Sequence, residues 1–342
     1  MSDPTVIILQ ACFFGALGIF ALCASLRAVA AAFCPATKPP MTANVAPSDR
    51  KIGILPVRED SASSLSAHET TGWKPVVHDR QDADPPAKLT VLTGPPPIPS
   101  RRVPVWPYVH IDLLWMGFIF LTFYSISIGS ARVVAAKTAM PITPQGLLSS
   151  IGFHIVLAGM TVMVMVWRIR PVAWLGLRWP NWKRVFLIGP LGMVAMWLLG
   201  FGLNATAYPQ WIKSLGGEPM QDSVKLLQDS QDPLILGLMS VAAMFSAPLC
   251  EEIVFRGYLY PAAKKFAGPW VAGLCSALVF AAAHNSLSAL LPLFYFGCLL
   301  ALAYELTGSL WAPIAMHFSL NSATVMAEAL VRFYHIPLSP GP

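Results

Sequence analysis

LILGLMSVAAMFSAPLCEEIVFR, residues 234–256, is the stretch that decides the fold. Its first part, Leu234–Cys250, is 17 residues long and carries no charge. It then runs directly into Glu251, Glu252 and, four residues later, Arg256. An apolar run of that length reads as a membrane span. Ionisable groups at the edge of a span are expensive; they pair, face the bundle interior and mark a functional site. Adjacent helical residues point about 100° apart, so Glu251 and Glu252 face different neighbours. Glu252 precedes Arg256 by four residues, the favourable order for an ion pair along one helix. That leaves Glu251 to face elsewhere.

The rest of the chain repeats the apolar theme. Of its 342 residues, 55% are hydrophobic and 12% are charged, against about 25% charged in a soluble chain. The expected fold is all-α, a polytopic membrane helix bundle of about eight transmembrane helices. The candidate spans are Val6–Leu26, His110–Ala131, Leu147–Trp167, Val185–Ala205, Leu234–Cys250, Trp270–Ala283, Leu287–Tyr304 and Leu310–Val331. Residues 1–33 read as an N-terminal anchor, uncleaved because no Lys or Arg precedes its apolar run. Residues 34–108 are rich in Pro, Ser, Asp and Lys, and read as a mostly disordered linker. Residues 109–232 hold spans two to four, 233–332 the functional core, and 333–342 a tail. Trp174, Trp179 and Trp182 suit the headgroup zone.

Charge sets the expected orientation. With the linker on the cytoplasmic side, eighteen of the 23 Lys and Arg fall in inside loops, which fits the positive-inside bias. A multi-pass protein of the plasma (inner) membrane is expected, with the glutamate pair near the cytoplasmic end of the fifth span and the lipid bilayer as its surroundings. The net charge of +6 therefore needs no nucleic-acid partner, and no basic stripe with interleaved aromatics suggests one. Cys12, Cys23, Cys34, Cys250, Cys275 and Cys298 form no CxxC pair, so neither a zinc ribbon nor a disulfide framework is indicated.

Three polar points accompany the glutamates. His284 ends an apolar segment, and His317 and Asn321 lie four apart, on one helical face. A base, a water and hydrogen-bond donors for an oxyanion would together hydrolyse a peptide bond. The same groups also suit a proton relay, a proton-coupled transporter or a packing network in a non-catalytic scaffold, immunity or partner protein. If a divalent metal such as zinc is used, Glu251, His284 and His317 are the natural ligands, although HExxH spacing is absent. His154, alone in the third span, reads as a hydrogen-bonded packing residue rather than a relay.

The segment Ala247–Gly257, with Glu251-Glu252-Ile253-Val254-Phe255-Arg256, resembles the EExxxR motif of the CPBP family, the CAAX protease and bacteriocin-processing (Abi) membrane proteases. Phe280–His284 is similar to its FxxxH motif and His317–Asn321 to its HxxxN motif. The resemblance covers about Leu234–Leu330. It implies a CAAX-type intramembrane endopeptidase of the glutamic type, whose eukaryotic members remove the last three residues of prenylated CAAX proteins. It further implies that Glu251 activates water with His284, that His317 and Asn321 form the oxyanion site, and that Glu252 and Arg256 support them. No cofactor is favoured, since Asn321 suits an oxyanion better than zinc. The implied partner is a membrane-embedded or lipidated protein or peptide substrate.

Overall fold

A computed structural model describes residues 4–33, 103–135, 143–218 and 220–334. Among them the secondary structure is helical, with no strand. The long helices are α1 (Pro4–Phe33), α2 (His110–Ala135), α3 (Pro144–Val166) and α5 (Val185–Asn204), with the one-turn α4 (Pro171–Trp174) before α5. The short helices α6 (Tyr208–Ser214) and α7 (Asp222–Asp229) come after α5. Next come α8 (Pro233–Ala267), the short α9 (Pro269–Ala282), α10 (Leu287–Thr307) and α11 (Trp311–Phe333). Among the described residues seven helices, α1, α2, α3, α5, α8, α10 and α11, are long and apolar enough to cross a membrane. The architecture is a polytopic all-α bundle. The disordered-linker reading of residues 34–102 lies outside the described residues, as does the tail beyond residue 334.

The fifth and sixth spans position the site. The fifth runs past Cys250 through the glutamates, α8 continuing to Ala267, as the amphipathic stretch before Gly268-Pro269 leads one to expect. The carboxylates do not end the span because Arg256 neutralises Glu252 within the helix. The pair therefore sits in mid-helix, about 27 Å from the start and about 24 Å from the end at 1.5 Å per residue. The sixth span, α9, has 14 residues, about 21 Å of helix. That is short of the roughly 30 Å hydrocarbon core, and α9 is largely buried, packed against α1, α8 and α10.

Lipid tails are as apolar as the helices, so close packing rather than water exclusion joins these helices. Glycines set the closest approaches. A Cβ at Gly189 or Gly192 of α5 would meet Ser319 or Met316 of α11. At the end where α8 meets α9, polar groups lock the bundle. Asp112 of α2, fully buried, accepts from both terminal nitrogens of Arg168 at 2.8 and 2.6 Å, from the Val109 N–H at 2.7 Å and from the Tyr258 hydroxyl at 2.8 Å. Its hydrogen bonds hold the Arg168 guanidinium above even its ordinary range. Lys264 donates to Glu305 at 2.7 Å and to the Val103 carbonyl at 2.9 Å. Residues 103–108, expected at the linker's end, are thereby tied to the bundle, with Val103, Trp106 and Tyr108 buried. Pro104 and Pro107 remove helical periodicity there, which is why the stretch resembles linker.

Candidate active site

The site is built around α8, and α8 is irregular where it matters. Two π-helical segments, Ala242–Ser246 and Ile253–Leu259, bracket the α-helical Ala247–Glu252. Such widened turns are frequent at functional sites because they change the facing of later residues and free a backbone carbonyl. Here Asn321 of α11 donates its side-chain N–H to the Ala243 carbonyl at 2.8 Å, inside the first widened segment.

The two glutamates part as adjacent helical residues must. Glu252 turns inward and is fully buried. One of its oxygens, Oε1, accepts from Arg256 Nη1 at 3.0 Å and from His317 Nδ1 at 2.9 Å. Arg256, equally buried, lies 4.3 Å from the Phe280 ring centroid and donates to the Gly297 carbonyl at 3.3 Å. Gly297 is required at that point. A Cβ there would lie 2.9 Å from Ala277 and 3.3 Å from Arg256. Glu252 and Arg256 thus hold His317 from below.

Glu251 faces α3. Its Oε1 lies 3.4 Å from His154 Nε2, and its other oxygen, Oε2, is buried without a hydrogen-bond partner among the described residues. His284 and His317 are both within electrostatic reach of it. His284, at the C-terminal end of α9, is exposed, its Nδ1 2.8 Å from the Phe280 carbonyl and its ring edge-on to Phe280. Side-chain exposure falls from 24% at His154 to 12% at Glu251, 5% at His317 and 0% at Glu252. Glu251 and His284 therefore lie nearer the bundle surface than the Glu252–Arg256 pair.

Hydrogen bonding fixes which ring nitrogens are free. The Phe280 and Ser150 carbonyls only accept, so Nδ1 of His284 and of His154 carries a proton. Glu252, ionised against Arg256, accepts from Nδ1 of His317 in the same way. Nε2 is then the nitrogen each ring offers outward, the arrangement common to histidines that bind or relay. Neutral His317 would accept at Nε2. It donates there only as an imidazolium.

Sequence reasoning groups Glu251, Glu252, Arg256, His284, His317 and Asn321, and α8, α9 and α11 bring them to one region. It misses the His154 contact. The available signal was a lone ionisable residue in an apolar span, which packing alone would also explain. Among the described residues no three His, Cys, Asp or Glu side chains converge closely enough to hold a metal ion.

Comparisons with known proteins fall on the same region. Residues 233–323 match the family described as "Type II CAAX prenyl endopeptidase Rce1-like". The chain is 31% identical over 91 residues to a Bacillus subtilis (strain 168) protein named "Putative membrane peptidase YdiL". That match covers 27% of this chain and 37% of the relative, so the chain spans little more than a third of the relative's length. No solved structure matches the chain. The family match takes in every motif residue from Glu251 to Asn321 and leaves out His154. It supports a CPBP-family membrane protease carried by helices α8 to α11.

Proposed function

We propose, on the premise that residues 233–323 are the protease segment of a CPBP-family membrane protein, that the chain is a glutamate-type intramembrane endopeptidase. The observation that carries this reading is the division of labour between the two glutamates. Glu252, with 0% exposure, is held at Oε1 by Arg256 and His317 and leaves its Oε2 unpartnered in the sealed interior, while Glu251, 12% exposed, keeps its own Oε2 without a partner, so Glu251 alone combines an unpartnered oxygen with access. An unpaired carboxylate oxygen inside a bundle is a strong acceptor for a water proton.

In this mechanism Glu251 Oε2 takes a proton from water, with His284 Nε2 accepting the water's other hydrogen bond. The hydroxide oxygen attacks the scissile carbonyl carbon and a tetrahedral oxyanion forms. Asn321 has a second amide N–H beyond the one given to Ala243, and imidazolium His317 has Nε2–H. These two donors stabilise the oxyanion. Loss of one such donor typically lowers turnover by about 10²–10³-fold. The C–N bond then breaks, and the proton held by Glu251 passes to the leaving amine.

The depth of the site in α8 calls for a membrane-associated substrate. A lipidated, CAAX-type peptide is the first class to test, because the matching family is described by that activity. We take the protein to lie in a plasma (inner) membrane with the 34–108 linker on the cytoplasmic side, a side that the charge bias of its loops supports.

The test is mass spectrometry of membrane proteins and released peptides from cells carrying the intact chain or its Glu251→Ala form. A peptide terminus seen only with Glu251 supports hydrolysis and names the substrate. Identical maps from two well-expressed proteins would instead favour a non-catalytic scaffold built on the Glu252–Arg256–His317 network. A chelator added to the active sample separates the readings further: cleavage by a glutamate-bound water persists, and cleavage needing zinc is lost.

A further inference from the structure

We propose that His154 of α3 is a positioning residue for Glu251: it holds one carboxylate oxygen and so commits the other to the reacting water. This rests on the reading of Glu251 as the water-activating group. His154 lies outside the segment that matches the protease family, and nothing in the family motifs points to it.

The geometry is directional. His154 gives its Nδ1 proton to the Ser150 carbonyl of its own helix at 2.8 Å, which fixes the ring plane. Nε2 then lies across the helix interface from Glu251 Oε1, 3.4 Å away and within ion-pair distance. A histidine that only filled space would have no reason to direct its second nitrogen at a carboxylate on another helix. The contact also has a proton requirement. With Nδ1–H already donated, Nε2 and a carboxylate oxygen can face each other only with a proton between them. His154 and Glu251 together are then neutral overall, which suits the interior of a bundle better than a lone carboxylate.

The platform under His154 is rigid. Leu157, Ala158, Thr161 and Met165 of α3 are buried, and α3 packs against both the regular and the widened parts of α8. Without His154, Glu251 would have no paired side chain on either oxygen among the described residues and would be free to swing about its own χ angles. Groups that orient a reacting side chain typically contribute about 10–100-fold to activity.

The experiment uses the full chain, purified in detergent micelles, with a fluorogenic prenylated CAAX peptide as probe. The variants are His154→Phe, His154→Gln and Glu251→Gln. The expected result for His154→Phe is a kcat lower by about 10–100-fold, with KM within about threefold of the parent. His154→Gln, whose amide N–H can donate to the same oxygen, should recover most of the loss. A His154→Phe protein with the parent's kcat, beside an inactive Glu251→Gln, overturns the proposal and leaves the hydrolytic reading intact. A second arm needs no activity. Melting temperatures of His154→Phe, Glu251→Leu and the double variant should depart from additivity by about 2 °C or more. Additive shifts would overturn the contact itself. Coupled shifts in a protein that cleaves nothing would uphold the pair and overturn the hydrolytic reading.

Discussion

Arg256→Met is the sharpest test of how the site is held. The guanidinium is fully buried, paired to Glu252 at 3.0 Å, and seated 4.3 Å from the Phe280 ring centroid. Methionine keeps much of its length and removes its charge. Glu252 would then remain buried with His317 as its single hydrogen-bond partner among the described residues. Breaking a buried pair by removing one member leaves an uncompensated charge, at about 3–5 kcal/mol. The cation–π contact, about 2 kcal/mol when desolvated, and the long Gly297 bond belong largely to the same loss, so they are not added. At about 2 °C per kcal/mol for a chain of this size, the melting temperature should fall by roughly 6–10 °C. Removing both members, Glu252→Met with Arg256→Met, leaves no buried carboxylate, only a His317 N–H without its acceptor, at about 1–3 kcal/mol. The double variant should therefore be the more stable of the two. The assay is thermal unfolding in a fixed detergent, read by tryptophan fluorescence. An Arg256→Met protein melting within about 2 °C of the parent, or a double variant less stable than the single, would refute this reading of the pair.

Three further outcomes are expected from other contacts. Gly297→Ala places a Cβ 2.9 Å from Ala277, so overpacking should destabilise by about 1–3 kcal/mol, seen as a lower melting temperature. Asp112→Ala deprives buried Tyr258 of its shorter acceptor, leaving it the residue-112 backbone carbonyl at 3.3 Å, and Arg168 of its carboxylate. Because Arg168 is 27% exposed and regains water, the loss should be about 1–3 kcal/mol, with Asp112→Asn milder in the same melt. Asn321→Leu strips the Ala243 carbonyl of its side-chain donor. It should lower both stability, by about 1–3 kcal/mol, and probe cleavage, whereas a melting loss with unchanged kcat would remove Asn321 from the oxyanion role.

The legible part of the fold is the part written in long uniform runs. Leu287–Tyr304 and Leu310–Val331 could be nothing but buried or membrane helices, and they are α10 and α11. The Glu252–Arg256 pair was legible too, because its geometry is set inside one helix. The end of α8 was legible as well, because Gly268-Pro269 breaks the chain directly after Ala267. Two kinds of feature stayed hidden for physical reasons. A widened helical turn differs from a regular one by a single residue, which leaves no mark on apolar periodicity. The partners of Glu251 and His317 sit on helices far away in sequence: His154 is 97 positions before Glu251, and His317 is 65 beyond Glu252. Only the folded bundle shows that the carboxylates divide, one to α3 and one to α11.

The two π-helical segments of α8 also bear on changes in chain length. Each accommodates one more residue than a regular turn without advancing the phase of the helix beyond it. Elsewhere in α8, gaining or losing one residue would rotate all later positions by about 100°, enough to exchange the directions of Glu251 and Glu252. Within Ala242–Ser246 or Ile253–Leu259, losing one residue can instead be absorbed by relaxing the wide turn to a regular one. Length variation among related chains in this helix should therefore collect at those two places, and alignments that force a gap between them will mispair the two glutamates.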